Sequence, residues 1–231
     1  MRVLDVGCGT GDTTFLAADL VGPNGFVVGI DRSADAIGTA RQRAQTTSRP
    51  NVQFIEGELG APIADQEPFD AAIGRYVLVH QPDIVAALRS VRDLVLHGGL
   101  IAFHEIELGT THVTDPPSEL VERVRSWLRE AFRLGGVQLD AVSQMPRYFY
   151  EAGLGWPETS IYTTVSSGPD GFGPDWIVRT LRSLSSLLER AGVATAKELD
   201  LDTLAARLRE SCANGAASVV TVNGGIWARR T

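Results

Sequence analysis

The chain has 231 residues, 44% of them hydrophobic and 21% charged, a globular balance at the length of one domain or one domain plus a cap, which excludes disordered and fibrous classes. No apolar run approaches the roughly 20 residues that span a bilayer and no secretory leader opens the chain, so a cytoplasmic protein without a membrane partner is expected. The net charge of −7 offers no footprint for nucleic acid, and the two cysteines, Cys8 and Cys212, lie at opposite ends and supply neither a disulfide framework nor a metal motif, so no metal is expected.

From residue 2 to 107, short apolar runs alternate with helical patterns, the signature of βαβ units and a parallel sheet. The first strand, Val3 to Val6, runs into Gly7-Cys8-Gly9-Thr10-Gly11 and then a helix from Asp12 to Leu20. Glycines there tighten the turn and let a ligand approach the backbone, with the free amides of a helix N-terminus beside it. The spacing is GxGxG rather than the GxGxxG of dinucleotide-binding loops, and Asp12 occupies the helix start, where it would repel a pyrophosphate. A nicotinamide oxidoreductase and a phosphate-loop NTPase are both disfavoured.

The second strand, Phe26 to Ile30, ends at Asp31, about 20 residues past the glycines, where a carboxylate can accept from both hydroxyls of a ribose. A helix from Ser33 to Thr46 leads to a third strand, Val52 to Ile55, and then to Gly57-Glu58-Leu59, whose acid can accept from an exocyclic amine. Ribose and adenine suit this set, and a phosphate chain does not. A fourth strand, Phe69 to Gly74, precedes Arg75 and His80. A helix over Asp83 to Leu96, with Ile84, Ala87, Leu88, Val91, Leu94 and Val95 at helical spacing, stops at Gly98-Gly99 before a fifth strand, Leu100 to Ile106.

Beyond Glu107 the pattern changes to longer helical segments. Pro116-Pro117 opens an amphipathic helix that ends at Gly135-Gly136, and a second helix spans Ala141 to Ala152. A strand from Thr159 to Val165, helices over Pro174 to Ala191 and Asp202 to Cys212, and a final strand from Ala217 to Ala228 complete the chain. The expected organisation is a core of residues 1–107 and, in the same domain, residues 108–231 as sheet-completing strands with inserted cap helices.

Taken in order, VLDVGCGTG, Asp31, Gly57-Glu58-Leu59, the Phe69 to His80 segment and Leu96-His97-Gly98-Gly99-Leu100 resemble the motifs of class I S-adenosylmethionine-dependent methyltransferases, particularly the small-molecule branch. His97 stands where the family usually has proline, and Glu58 where aspartate is commoner. The resemblance covers residues 2–107. It implies an α/β, Rossmann-like seven-stranded sheet of order 3-2-1-4-5-7-6 with strand seven antiparallel. Residues 217–228 would form strand seven and residues 159–165 strand six.

The resemblance also implies S-adenosylmethionine as cofactor, S-adenosylhomocysteine as product and a small-molecule acceptor. Asp5 and the backbone of Gly7, Cys8 and Gly9 would meet the methionine moiety, Asp31 the ribose and Arg32 the adenine face. Glu58 and Leu59, after Gly57, would meet the adenine edge, with Gly74 and Arg75 flanking the sulfonium side. The family usually carries helices before strand one, so capping falls to residues 108–155 and 168–215 or to a segment outside this chain. Monomer and homodimer stay open, as does the acceptor atom.

Displacement at a sulfonium needs alignment and a dry site more than a base, but a hydroxyl or protonated amine acceptor must lose a proton. His80, after strand four, and Glu105, at the end of strand five, are the candidate catalytic groups, because open α/β sheets bind ligands at the carboxyl ends of their strands. The competing readings are a backbone-bonded histidine at 80, packing for His104, and ion pairing of Arg75 with Asp5 or another carboxylate. Tyr148, Phe149, Tyr150 and Trp156 either wall an aromatic acceptor or fill the core. The alternative function is a protein of this fold that binds S-adenosylmethionine without transferring its methyl group.

Overall fold

A computed structural model describes residues 1–59, 67–109, 118–167, 171, 173–213 and 218–231. Strands β1 (Arg2–Val6), β2 (Phe26–Asp31), β3 (Val52–Glu56), β4 (Phe69–Arg75), β5 (Val95–Glu107), β6 (Glu158–Ser167) and β7 (Ser218–Arg229) form one sheet in the order β3-β2-β1-β4-β5-β7-β6. The first five pair in parallel: Val3 faces Val27 and Ala71, Gly29 faces Phe54, and Gly74 faces Phe103. The start of β5 meets the end of β7, Gly98 N donating to Arg230 O and Arg230 N to Gly99 O, as an antiparallel pair requires. The strand order and mixed sheet are those implied by the resemblance.

The parallel part of the sheet, β1 to β5, has central strands buried on both faces. Leu4, Val27, Val28 and Ala72 have no exposed surface, and such runs are stable only when helices cover both sides. Those helices are α1 (Asp12–Val21), α2 (Ala34–Thr46) and α3 (Ile84–Leu94). Ser33 and Asp83 cap α2 and α3, accepting from Ala36 N and Ala86 N and so satisfying one of the free amides of each first turn. Ala17 and Ala18 of α1 pack on Val3, Val27 and Ala71, while Ile37 and Ala40 of α2 pack on Cys8 and Phe54.

The fifth strand begins earlier than the glycines suggest. α3 ends at Leu94, and Val95 is already in β5, fully buried and paired with Phe69. A register shift between Phe69 and Ala71 and the left-handed Gly98 (φ 80°) absorb the irregularity, so Gly98-Gly99 lies inside the strand rather than ahead of it.

The chain divides into two compact units. One comprises Met1–Glu105, Ser143–Ser160 and Gly224–Thr231; the other comprises Ile106–Val142 and Ile161–Asn223. In the first, the end of α5 (Ala141–Glu151) is held by α3: Arg89 donates to Glu151 O and Arg92 to Ala152 O. The second unit has its own core. Val121, Trp127, Leu128 and Ala131 of α4 (Glu119–Leu134) meet Ile177, Leu181 and Leu188 of α6 (Gly173–Arg190), with Leu199 of α7 (Ala196–Leu199) and Leu204 and Leu208 of α8 (Leu201–Ala213). Helices α4, α6, α7 and α8 therefore share one apolar centre. Pro116-Pro117, expected to open α4, lie outside the described residues, and Ser118 caps that helix.

Candidate functional site

At the carboxyl ends of β1, β2 and β3 and along the chain leaving β4 lies a cavity of about 520 Å³, within the range of small-molecule sites. Its lining comes from Val6 at the end of β1 and Gly7 after it, from Ile30, Asp31 and Arg32 at the end of β2, and from Gly57, Glu58 and Leu59 after β3. Tyr76, Val77, His80, Gln81 and Pro82 complete the wall. Seven of the site residues expected from the sequence thus converge: Gly7, Asp31, Arg32, Gly57, Glu58, Leu59 and His80.

The glycine loop takes the shape that its residues permit. Gly7, Gly9 and Gly11 all have left-handed φ angles, of 63°, 54° and 94°. A Cβ at Gly7 would overlap the Val77 Cγ2 methyl group, and one at Gly11 would lie 2.8 Å from the Phe54 ring. Cys8 N donates to Ile30 O at 3.0 Å, so the loop is stitched to β2. Asp12 opens α1 and pairs with Arg43 at 2.8 Å.

Asp31 ties the loop to α2. Its Oδ2 accepts from Gly9 N and its Oδ1 from Ser33 N, each at 2.9 Å, while its carbonyl accepts from Gly57 N at 3.0 Å. An ionised carboxylate offers about four acceptor positions. Two of them are used, one on each oxygen, and the residue lines the cavity.

Asp5, Cys8, Gly9, Gly74, Arg75 and Glu105 are not among the cavity-lining residues. Asp5, 1% exposed, accepts a 2.6 Å hydrogen bond from Thr14 Oγ1. Burial pushes its carboxyl up to about 7, with the Thr14 bond and the charge of Arg75 opposing. Burial beside Asp5 and Asp31 pushes the Cys8 thiol up to about 12. Gly74 leaves room for the Phe103 ring, from which an added Cβ would be 2.5 Å. Arg75 is exposed, with its guanidinium carbon 5.7 Å from the Tyr76 ring centre.

His80 closes a single 3₁₀ turn, Leu78–His80, and faces the cavity. The residue is exposed, yet partial desolvation, reinforced by the positive charge of Arg32, lowers its pKa, so the neutral imidazole is favoured. Glu105 has no exposed surface. It accepts from the amides of Val77, Leu78 and Val79, and burial outweighs these bonds to raise its carboxyl to about 7. His104 lies beside Tyr76, ring centres 5.1 Å apart, and its pKa is lowered by burial and then by Arg75.

Tyr76, Val77, Gln81 and Pro82 are cavity residues that sequence reasoning missed. Only conformation singles out Tyr76, one of three described non-glycine residues with positive φ, at 57°. The aromatic segment after residue 147 divides. Phe149 is core, while Tyr150 and Trp156 stack at 4.8 Å with Trp156 73% exposed, and neither lines the cavity. Among the described residues no three His, Cys, Asp or Glu side chains gather to hold a metal ion, and no helix is long and apolar enough to cross a membrane.

Comparison with known proteins bears on this geometry. A family described as a methyltransferase domain matches residues 1–150. Aklanonic acid methyltransferase from Streptomyces sp. strain C5 is 34% identical over 151 residues, covering 56% of this chain and 69% of that protein. Demethylmenaquinone methyltransferase from Lactococcus lactis is 31% identical over 116 residues, covering 50% of this chain and 44% of that protein, so this match spans under half of that relative's length. Among solved structures, the YcgJ protein from Bacillus subtilis superposes with a TM-score of 0.64 over all of this chain and 92% of its own, at 19% identity, a likeness of fold.

Proposed function

The chain belongs to the methyltransferase-domain family, among the S-adenosylmethionine-dependent enzymes, and on that premise we propose that it methylates a small organic acceptor at the cavity beside Asp31. The observation that carries this reading is the Asp31 carboxylate, fixed by Gly9 N and Ser33 N, one on each oxygen, in the cavity lining. Such a group suits a ribose diol and repels a phosphate chain.

When bound, S-adenosylmethionine supplies a methyl group on a sulfonium that is already a strong leaving group. The chain's own residues then have three tasks. Asp31 accepts from the ribose hydroxyls, and Glu58 with Leu59 receives the adenine edge while Arg32 stands beside the ring. The glycine loop, with Gly7 and Gly9 lacking side chains, lets backbone amides approach the methionine end. Asp5, Cys8, Gly74 and Arg75 support this binding from around the loop and the end of β4, and Gly57 from the end of β3.

The second task is exclusion of water, to which Val6, Ile30, Leu59 and Val77 contribute apolar surface. The third is removal of a proton from the acceptor. The imidazole of His80 is kept neutral by partial desolvation and by Arg32, so a ring nitrogen is free to receive that proton. The relatives' names make organic acids and quinones the first acceptors to test.

The test is formation of S-adenosylhomocysteine from S-adenosylmethionine with panels of quinones, phenols, aromatic acids and amines, with mass analysis of the acceptor. A product one methylene heavier, formed only with an acceptor, supports transfer. Binding without turnover across all four classes would favour the alternative, a protein of this fold that binds the cofactor and transfers nothing.

A further inference from the structure

β4 leaves the sheet at Arg75, and the next six residues must reverse direction and still deliver side chains to the cavity. Tyr76 begins the reversal with a φ of 57°, a conformation in which a Cβ crowds the following carbonyl and which a bulky residue keeps only when its surroundings impose it. On the upstream side Tyr76 N donates to His104 O at 2.9 Å. On the downstream side stands the 3₁₀ turn Leu78–His80, whose first amides have no side-chain cap from the preceding residue. Those amides converge on Glu105: Val77 N and Leu78 N donate to Oε1 at 3.1 and 2.9 Å, and Val79 N reaches Oε2 at 3.4 Å.

Glu105 is far from the turn in sequence, comes from the adjacent strand, has no exposed surface and is not among the cavity-lining residues. Its carboxylate therefore does not meet the acceptor. A carboxyl group removed from water is costly unless its oxygens are satisfied, and one side chain answering three amides ties consecutive residues of the turn to a single point on the neighbouring strand. The anchored turn faces two ways. Val77 packs against Gly7 so closely that a Cβ on Gly7 would overlap it, while Tyr76, 39% exposed, and His80 line the cavity.

We propose that Glu105 is a positioning residue for methyl transfer, whose buried carboxylate clamps the amides of residues 77–79 and thereby fixes Val77 on the glycine loop and Tyr76 and His80 on the cavity wall. The inference rests on the reading of that cavity as the transfer site. The clamp sets the alignment of donor and acceptor, and misalignment of that kind is felt in turnover more than in substrate affinity.

The test uses Glu105→Gln in the full chain, followed by circular dichroism, site-resolved amide hydrogen exchange and steady-state kinetics. The amide of Gln offers the turn a neutral acceptor on one side and a donor on the other. The expected result is a folded protein in which exchange accelerates about tenfold or more at residues 77–79 and not across the sheet, with kcat down by on the order of tenfold and the acceptor KM little changed. A structural role alone would raise exchange throughout the unit and lower the melting temperature without this split. A raised acceptor KM with unchanged exchange would make Glu105 an acceptor contact and overturn the proposal, as would wild-type exchange and kcat in the folded variant.

Should Glu105→Gln fail to fold, Glu105→Asp keeps the charge and shortens its reach by one methylene. The same local exchange and loss of kcat are expected, and wild-type kcat would again overturn the clamp. If the wild-type chain binds no S-adenosylhomocysteine, the reading of the cavity fails and the proposal with it. Wild-type binding with an unaffected variant defeats the clamp alone.

Discussion

His80 shows how much of a residue's chemistry is set by its neighbours. A histidine after the fourth strand is visible in the sequence, but its tendency to stay neutral is not, because that comes from partial desolvation at the turn and from Arg32, which lies 48 positions away in the chain. A base whose pKa is lowered is fully active above that pKa and loses activity as pH falls through it. The account predicts an acidic limb in the kcat profile of the wild type that begins below the usual histidine value. Arg32→Gln removes one of the two causes and moves that limb to higher pH, whereas His80→Asn abolishes it. An unchanged limb in His80→Asn would remove His80 as the base. Asp31 was legible for a related reason: its partners Gly9 and Ser33 are set by a strand-turn-helix pattern that spacing reveals. Glu105 was legible only as a residue at a strand end. Its inward direction and its three amide partners depend on β4 and β5 being neighbours in the sheet.

At the scale of elements, the βαβ units were readable because apolar runs and caps agree with one another, as Ser33 and Asp83 do at the starts of α2 and α3. The start of β5 was not, since Gly98-Gly99 reads as a stop signal and only pairing with β4 and β7 draws Val95 into the strand. α7 carries a signature that could have been found: Thr195 and Glu198 form a capping box, S/T-x-x-E in the sequence. The turn over Leu78–His80 carries none, being shaped by the buried carboxylate on β5. The glycine loop illustrates the same limit. Gly7 and Gly9 look equivalent in the motif, yet Gly7 is pressed against Val77 while nothing lies within 4 Å of a Cβ at Gly9. Gly9→Ala should therefore cost about 1–2 kcal/mol of stability, from the left-handed backbone alone. Gly7→Ala adds an overlap of about 1–3 kcal/mol and displaces the turn that carries His80. Urea unfolding of both variants reads the difference, and equal losses would contradict the packing of Val77 on the loop.

The whole molecule combines two compact units, each with its own apolar centre, and the cavity belongs wholly to the one that contains β1 to β4. The strand order was legible only through the resemblance to a family that five motifs in sequence carry. The shared core of α4, α6, α7 and α8 was not, since amphipathic stripes reveal that a helix is half buried but not which partner buries it. That first unit also holds two buried carboxyls, Asp5 and Glu105, both raised to about 7. Between their ordinary values and 7 the folded state binds protons that the unfolded chain has released, so their contribution to stability is full below the ordinary carboxylate range and is lost as pH rises through about 7. The melting temperature should thus be higher near about pH 6 than near about pH 8, with the gap shrinking in an Asp5→Asn, Glu105→Gln double variant. A flat or rising profile would contradict the assignment. The central claim, that the cavity beside Asp31 holds S-adenosylmethionine, is tested most directly by calorimetric titration of the chain and of Asp31→Ala with S-adenosylmethionine, S-adenosylhomocysteine and NADH. The account predicts binding of the first two and not of NADH, weakened in folded Asp31→Ala by on the order of 1.5–3 kcal/mol through loss of charge-assisted hydrogen bonds. Tighter binding of NADH, or an Asp31→Ala variant with wild-type affinity, would contradict it.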